Sequence, residues 1–259
     1  MIIKYENLGV RSSYGLDNWT LDDFISDHNS VFYTKTVNGP KGKKIRIVTC
    51  YTNQNTIFDT SIMTTKLIYH YRPRYLFMTG LVCGIDHTEV GFGDILIASE
   101  IWDGTNIDNF DKGQSYYYLK SQRIPLGFNA ISLLSKLSNS KELLFNIEKK
   151  YINEFEKPRS ILQAHICPIV SVPFERLDNM QTESLKSLSR KILGVDNASY
   201  GMFYSANNCY KRKPIFTILV KSVSDFFDAY KHDHYQQYAL YTSTEFIKYI
   251  VLNELDYSF

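Results

Sequence analysis

The sequence predicts an α/β fold in which a central mixed sheet lies between two layers of helices, a three-layer sandwich. Apolar segments of strand length alternate with amphipathic segments of helical length along most of the chain, a pattern typical of such folds. Continuous apolar runs such as residues 75–79 favour strands covered by helices on both faces. With 259 residues and 44% hydrophobic content, the chain can bury the core of one domain. We therefore expect a single domain over residues 1–259.

The predicted core occupies residues 43–259, and residues 1–42 are expected to decorate it because they are polar and weakly periodic. Strands are predicted at residues 45–50, 75–79, 92–98, 161–172, 192–195 and 215–223. Helices are predicted at residues 57–70, 133–155, 180–191, 199–208 and 235–252, where apolar residues recur at helical spacing. Pro168 is expected to interrupt its strand, and residues 80–84 are expected to form a glycine-bounded loop.

Composition argues against several classes of function. The 29 basic and 27 acidic residues leave a net charge of +2, too small to indicate a nucleic-acid-binding or membrane-binding surface. The four cysteines form no C-x-x-C pair, so we expect reduced structural thiols. No segment has the roughly 18 apolar residues of a membrane span, and the first residues do not resemble a signal peptide. We expect a cytoplasmic protein without a cofactor or a metal site.

Two segments place polar groups at the ends of predicted strands. Residues 221–225 read Lys-Ser-Val-Ser-Asp and close an apolar run, which puts the hydroxyl of Ser224 and the carboxylate of Asp225 where open α/β sheets hold their active sites. An isolated Ser-Asp pair at such a place more often caps a helix or forms a turn. A second short apolar segment ends in Asp-Asn-Ala at residues 196–198.

The order of four motifs resembles the purine nucleoside phosphorylase and nucleosidase superfamily. These motifs lie at residues 72–84, at residues 93–98, around Ala198, and at Ser224 and Asp225. The resemblance implies a phosphorylase/hydrolase-like fold and an N-glycosidic bond hydrolase. Residues 221–226 and 231–243 are similar to a branch found in bacterial conflict systems, which implies an adenine nucleotide nucleosidase, acting on an ATP-like substrate, in antiphage defence.

The resemblance also implies roles for individual residues. Asp225 corresponds to the general acid that protonates the departing purine, and Ser224 would orient it. Ala198 stands where the family has the glutamate that binds the ribose hydroxyls, and Asn197 stands where methionine is common. Further substrate contacts are expected at Gly80, Cys83, Phe174 and Lys221.

Ala198 leaves two interpretations open. A natural loss of the glutamate would indicate a binding protein or a catalyst with altered sugar contacts, whereas a deliberate Glu→Ala change would indicate a chain disabled to trap its substrate. We favour the second interpretation because Asp225 and its motif are retained.

Alternatives to the ATP-like substrate remain open as well. They are a nucleoside phosphorylase, a methylthioadenosine/adenosylhomocysteine nucleosidase, and a catalytically silent nucleotide-sensing module. Phosphorolysis would require an anion site, which backbone N–H groups of residues 80–84 could form, but the resemblance favours hydrolysis. It also implies a homo-oligomer and partner defence proteins.

Overall fold

The computed structural model describes residues 10–15, 17–52, 54–105, 123–126, 128–153, 156–172, 185–186, 189–209, 214–226 and 233–255. The strands are β1 (Thr20–Leu21), β2 (Ser30–Asn38), β3 (Lys44–Thr52), β4 (Tyr75–Met78), β5 (Leu81–Gly84), β6 (Ile95–Asp103), β7 (Arg123–Pro125), β8 (Ala164–Ser171), β9 (Gly194–Asp196) and β10 (Phe216–Phe226). The α-helices are α1 (Ile57–Tyr71), α2 (Phe128–Ser138), α3 (Lys141–Lys149), α4 (Ser199–Asn208) and α5 (Gln236–Tyr249), and α5 continues into a π-helical turn, Ile250–Glu254.

The strands form two sheets. A three-stranded antiparallel sheet has the order β1-β2-β3. The larger sheet has the order β4-β10-β5-β9-β8-β6-β7. In it β10 runs parallel to β4 and β5 and antiparallel to β6, so the sheet is mixed. Its strands are largely buried and helices cover it, which confirms the predicted α/β class with a central mixed sheet.

Helix α1 has both a start and a stop signal in its sequence. The Thr56 side chain caps the helix by accepting a 3.1 Å hydrogen bond from the backbone N–H of Asp59. Arg72 ends it in the left-handed conformation with φ 50°, and Pro73 follows, which disfavours further helix. The buried face includes Met63, Leu67 and Ile68 at helical spacing.

Helix α4 packs closely on α1 because position 201 has no side chain. A Cβ atom at Gly201 would lie 2.2 Å from the carbonyl oxygen of Ile57 and 2.9 Å from the hydroxyl of Ser61. One turn further on, the Ser205 hydroxyl donates a 2.9 Å hydrogen bond to the backbone oxygen of Ser61. These contacts fix the helix whose first turn includes the segment around Ala198.

Some predicted elements are wrong in their bounds or type. Residues 81–84 form the strand β5 rather than a loop, because Val82 and Cys83 are buried and the segment pairs with β10 on one side and with β9 on the other. The single helix predicted at residues 133–155 is two helices, since Ser140 caps α3 by accepting a 3.3 Å hydrogen bond from the N–H of Leu143. The helix predicted at residues 180–191 lies mostly outside the described residues.

Pro168 does not interrupt β8. The register between β6 and β8 shifts between Ala98 and Glu100, and Pro168 lies opposite Glu100 at this irregularity. A β-bulge is one of the few places in a sheet where proline is accommodated, because proline cannot donate to the ladder. None of the described helices has the length and apolarity needed to cross a membrane.

Candidate active site

The predicted Ser-Asp pair lies in the last residues of β10, beside β5. The pairing of β10 with β5 shifts register between Val223 and Asp225, which leaves Ser224 at a β-bulge. Bulges of this kind redirect side chains next to active sites. Ser224 is buried and Asp225 is half-buried. The Oδ1 atom of Asp225 accepts a 2.9 Å hydrogen bond from the backbone N–H of Phe226, so its carboxylate has a defined orientation.

The second strand end, that of β9, points away from Asp225. β9 runs antiparallel to β5, with Val195 opposite Cys83, and Cys83 is in turn opposite Asp225 on β10. The chain after β9 therefore passes back along β10 towards Lys221, rather than emerging beside Asp225. Lys221 and Asp225 are four residues apart, about 13 Å along a strand. Asp225 and the Lys221–Asp196 contact thus lie at different levels along β10.

A buried network of charges and hydroxyls holds this second end. The Nζ atom of Lys221 lies 2.6 Å from Oδ2 of Asp196, and the two side chains are only 3% and 1% exposed. Ser171 at the end of β8 donates a 2.7 Å hydrogen bond to Oδ1 of Asp196 and accepts one of 2.9 Å from the N–H of Tyr200. The Ser199 hydroxyl also donates to Asp196. Three strands and the first turn of α4 are joined through one carboxylate.

The charged state of Asp196 follows from these contacts. Burial by itself would raise the pKa of Asp196, but the adjacent ammonium group of Lys221 and the hydroxyls of Ser199 and Ser171 outweigh it and hold the pKa below its usual range. The ammonium group of Lys221 is therefore committed to Asp196 inside the protein. The geometry does not place it on an accessible surface, as the expected substrate contact would require.

Ala198 is the N-cap residue of α4 and is fully buried. Its side chain makes no capping hydrogen bond; instead Oδ1 of Asp196 lies 3.3 Å from the backbone nitrogens of both Ala198 and Ser199. Asn197, between Asp196 and Ala198, is half-buried. Sequence reasoning assigned no role to Asp196, Ser171 or Ser199, although an aspartate ending a buried apolar segment is an unusual residue that needs a partner.

Cys83 lies in the sheet, and Gly80 lies in the short bend between β4 and β5. Gly80 has φ 136°, a value that side chains rarely tolerate, and its carbonyl oxygen accepts a 2.9 Å hydrogen bond from the N–H of Ser222. Cys83 is buried within β5. Because β5 has β10 and β9 as neighbours, its N–H groups face other strands. This arrangement gives no support to the anion site at residues 80–84 that the phosphorylase alternative would require.

An aromatic cluster that sequence reasoning did not predict adjoins Asp225. The imidazole of His87 stacks on the ring of Phe226 with centroids 3.6 Å apart, and Phe92 meets that ring edge-on at 5.0 Å. Phe92 also stacks on Tyr235 at 4.4 Å. A Cβ atom at Gly84 would lie 2.5 Å from the Phe226 ring, so the ring packs directly on the backbone of β5. No spacing pattern links these four rings, because they come from three separate loops or strand ends.

The remaining predicted contact, Phe174, lies outside the described residues. Within the described ranges, no group of three or more His, Cys, Asp or Glu side chains has the arrangement of a metal site.

Comparisons with known proteins find relatives and solved structures that include nucleosidases. No family model matches the chain. The chain is 24% identical over 199 residues to an uncharacterized protein, y4jS, from Sinorhizobium fredii, covering 76% of this chain and 47% of that protein. It is 25% identical over 202 residues to a death domain-containing ATP nucleosidase from Amphimedon queenslandica, covering 75% and 36%. The chain thus spans less than half the length of these curated relatives.

A solved structure is similar to this chain over nearly its whole length. The 5′-methylthioadenosine/S-adenosylhomocysteine nucleosidase from Helicobacter pylori, crystallised with butyl-thio-DADMe-Immucillin-A, superposes with a TM-score of 0.70 over 98% of this chain and 96% of that chain, at 13% identity. At this identity the likeness concerns the fold. The chain therefore has the fold of the purine nucleoside phosphorylase and nucleosidase superfamily, in agreement with the resemblance of its sequence.

Proposed function

We propose that the chain is a purine nucleosidase-type enzyme that hydrolyses the N-glycosidic bond of an adenine nucleotide similar to ATP. The observation that supports this most directly is the half-buried carboxyl group of Asp225 at the bulged end of β10, oriented by the N–H of Phe226. Glycosidic cleavage leaves an electron-rich base, and a positioned carboxylic acid lowers the barrier by protonating it. The similarity to an ATP nucleosidase supports the substrate class.

Ala198 should slow the glycosidic cleavage that we propose for this chain. In the proposed mechanism a carboxylate near residue 198 accepts hydrogen bonds from the sugar hydroxyls as positive charge develops on the ring, an effect that Ala198 lacks. The neighbouring carboxylate of Asp196 is a poor substitute, because Lys221, Ser171 and Ser199 already engage it. We therefore propose that the chain as written binds its substrate better than it cleaves it.

Replacement of Ala198 by glutamate tests the proposal. We expect Ala198→Glu to release adenine from ATP at least about tenfold faster than the parent chain, since one charge-assisted hydrogen bond of about 1.5 kcal/mol supplies that factor. Adenine release is measured by chromatography with ATP, AMP, adenosine and methylthioadenosine as substrates. Ala198→Gln is the matched control for side-chain size, and thermal unfolding shows whether the buried position accepts the larger residue.

Each outcome has a definite meaning. If Ala198→Glu binds a nucleotide but releases adenine from none of the four substrates, the enzyme proposal is abandoned. Release from adenosine or methylthioadenosine but not from ATP overturns the nucleotide substrate and favours a nucleosidase of the methylthioadenosine type. Phosphate-dependent release with formation of a sugar phosphate would indicate a phosphorylase instead.

A second candidate function is a nucleotide-sensing module without turnover. The buried alanine at position 198 favours it, because alanine has no carboxylate to accept hydrogen bonds from the sugar. The neighbouring carboxylate of Asp196 is already engaged by Lys221. This alternative predicts that calorimetry shows binding of ATP without adenine release. It also predicts that Ala198→Glu leaves this binding unchanged.

We further propose, on the resemblance of residues 221–226 and 231–243 to conflict-system proteins, that nucleotide destruction serves antiphage defence. The role predicts a fall in cellular ATP together with a rise in free adenine after infection, in cells that express the Ala198→Glu chain. An unchanged adenine level would oppose it.

A further inference from the structure

The turn formed by Gly93 and Asp94, at the start of the second sequence motif, lies against the end of β10. The backbone N–H of Val223 donates a 2.9 Å hydrogen bond to the carbonyl oxygen of Asp94, and the carbonyl oxygen of Val223 accepts one of 2.7 Å from the N–H of Gly93. Among the described residues, the regular pairing of β10 with β6 ends one residue earlier, so these bonds extend it by one step towards Asp225. Val223 is thus held through both backbone groups directly before the bulge at Ser224.

The carboxylate of Asp94 fixes this turn through contacts of its own. The side chain is only 2% exposed. Oδ2 accepts a 2.9 Å hydrogen bond from the N–H of Gly91, and Oδ1 accepts one of 3.0 Å from the N–H of Gln163. Nε2 of His165, near the start of β8, lies 3.2 Å from Oδ2. Because charge-assisted hydrogen bonds are strong and directional, Asp94 ties the loop before β6 to the start of β8 and, through its backbone, to the end of β10.

Helix α5 packs against the other residue of the turn. Gly93 has φ 82°, and a Cβ atom there would lie 2.2 Å from the ring of Tyr238. The hydroxyl of Thr242 lies 3.0 Å from the carbonyl oxygen of Gly93 and 2.8 Å from the hydroxyl of Ser222. Tyr238, Thr242 and Ser222 are all buried. The turn therefore cannot move away from β10 without displacing α5.

We propose that Asp94 is a positioning residue for Asp225. This inference deepens the proposed function and rests on Asp225 as its general acid. Asp94 is buried and its oxygens are engaged, so it acts through the backbone of Val223 and not by contact with the substrate. It fixes the point at which the bulge begins, and thereby the distance from the carboxyl group of Asp225 to the departing base. A displacement of about 1 Å at a reacting group can lower a rate by about 100-fold, so a slight loosening of the turn is enough to slow cleavage.

Asp94→Asn in the Ala198→Glu background tests the proposal, because it keeps the size of the side chain but replaces one acceptor oxygen with an NH2 group. We expect kcat for adenine release from the preferred substrate to fall about tenfold, with KM within about twofold of its starting value. Asp27→Asn is the matched control and should leave kcat unchanged, since Asp27 also accepts backbone N–H bonds in a turn, but beside the smaller sheet. Thr242→Val removes the hydroxyl beside Gly93 and should lower kcat in the same way, even if Asp94→Asn does not fold.

The effect of Asp94→Asn should pass through Asp225. In the Asp225→Asn background, the same substitution should change the residual rate by less than about twofold. A loss of about tenfold in both backgrounds, or a rise in KM instead of a fall in kcat, overturns the positioning role, because a purely structural residue would act in that way.

Amide exchange in the parent chain, followed by NMR, separates this proposal from the proposed function. Asp94→Asn should speed exchange of the N–H groups of Val223 and Phe226 at least about tenfold, while that of Ile218, further back in β10, stays unchanged. Unchanged exchange at Phe226 overturns the proposal, whether or not the chain is an enzyme. If exchange at Phe226 rises but no variant releases adenine, the proposed function fails, whereas the control of Asp94 over the geometry of Asp225 is supported.

Discussion

We expect His87 to influence Asp225 only through the stacking of its ring on Phe226, so that its proton is not required in the proposed reaction. Its imidazole stacks on Phe226, and the N–H of Phe226 orients the carboxylate of Asp225. We expect His87→Ala in the Ala198→Glu background to lower kcat about fivefold, since loss of the stacked pair removes about 1 kcal/mol of interaction that holds the end of β10 in place. His87→Phe should keep most of the rate, because a phenyl ring also stacks. Steady-state kinetics of adenine release provide the measurement.

A different result would reassign His87. If His87→Phe loses as much activity as His87→Ala, the imidazole takes part in chemistry or in substrate contact, and the positioning role is wrong. His28→Ala, an exposed histidine in the loop before β2, serves as the control and should leave kcat unchanged.

At the scale of single residues, the motifs in the sequence indicated Asp225, Ser224 and the position of Ala198, and the roles of these three residues stay predictions. The motifs could not indicate the ion pair between Lys221 and Asp196, because its partners are 25 residues apart in the chain and meet only when β9 and β10 are both in the sheet. An exposed lysine and a buried lysine have the same sequence signal. Only the position of a partner carboxylate distinguishes them.

At the scale of elements, this ion pair connects β10 to β9 and to the first turn of α4. Removing one partner leaves an unpaired buried charge, so we expect Lys221→Met to lower the free energy of unfolding by about 3 kcal/mol at pH 7. The double variant Lys221→Met with Asp196→Asn should lose less than the sum of the single losses, with a coupling above about 1 kcal/mol. Urea unfolding of the four proteins is the measurement, and Lys136→Met on α2 is the exposed control.

The free energy of unfolding should depend on pH with opposite signs in the parent chain and in Lys221→Met. In the parent chain the pKa of Asp196 is lowered on folding, so its stabilising contribution is present above the unfolded value of about 3.9 and is lost as pH falls below it. In Lys221→Met, burial without a neighbouring cation raises the pKa of Asp196, so the variant should lose stability as pH rises from about 4 towards 7. Parallel curves for the parent and Lys221→Met would show that the ion pair does not set this dependence.

Most strands of the larger sheet were predictable because they contain largely apolar runs, as in β4 and in residues 216–220 of β10. β5 was not, because Gly80 and Gly84 bound a run of only three other residues, a pattern that loops and short strands share. The sequence pattern also could not indicate the direction of β9. A three-residue strand has too little sequence to indicate whether it runs parallel or antiparallel to its neighbour, and the connections around it decide.

At the scale of the whole molecule, an exposed apolar surface spans α1 and α4. Phe58 and Ile62, one turn apart on α1, are 78% and 59% exposed, and Tyr204 on the adjoining α4 is 50% exposed. Surfaces of this kind mark association sites, and a two-fold interface would pair the patch with its own copy. We expect the chain to be a homo-oligomer through this surface, as its resemblance implied.

Ile62→Asp tests this expectation, since it places a charge in the centre of the surface. The mass measured by light scattering after size exclusion should fall to that of the monomer, 30.1 kDa. Ile152→Asp is the matched control, because Ile152 is more exposed but stands apart from the patch. An oligomer that survives Ile62→Asp uses another surface, and a monomeric parent chain excludes self-association.

The sequence by itself determined the α/β class, the sites of most strands and helices, and the order of motifs that indicates nucleoside chemistry. These properties depend on local patterns of apolar and polar residues, which do not require a partner elsewhere in the chain. The tertiary structure alone decided that Lys221 is buried against Asp196, that β9 runs antiparallel to β5, and that four rings gather beside Asp225. Each of these depends on segments distant in sequence meeting in space, where burial and pairing set the charge and accessibility of a group.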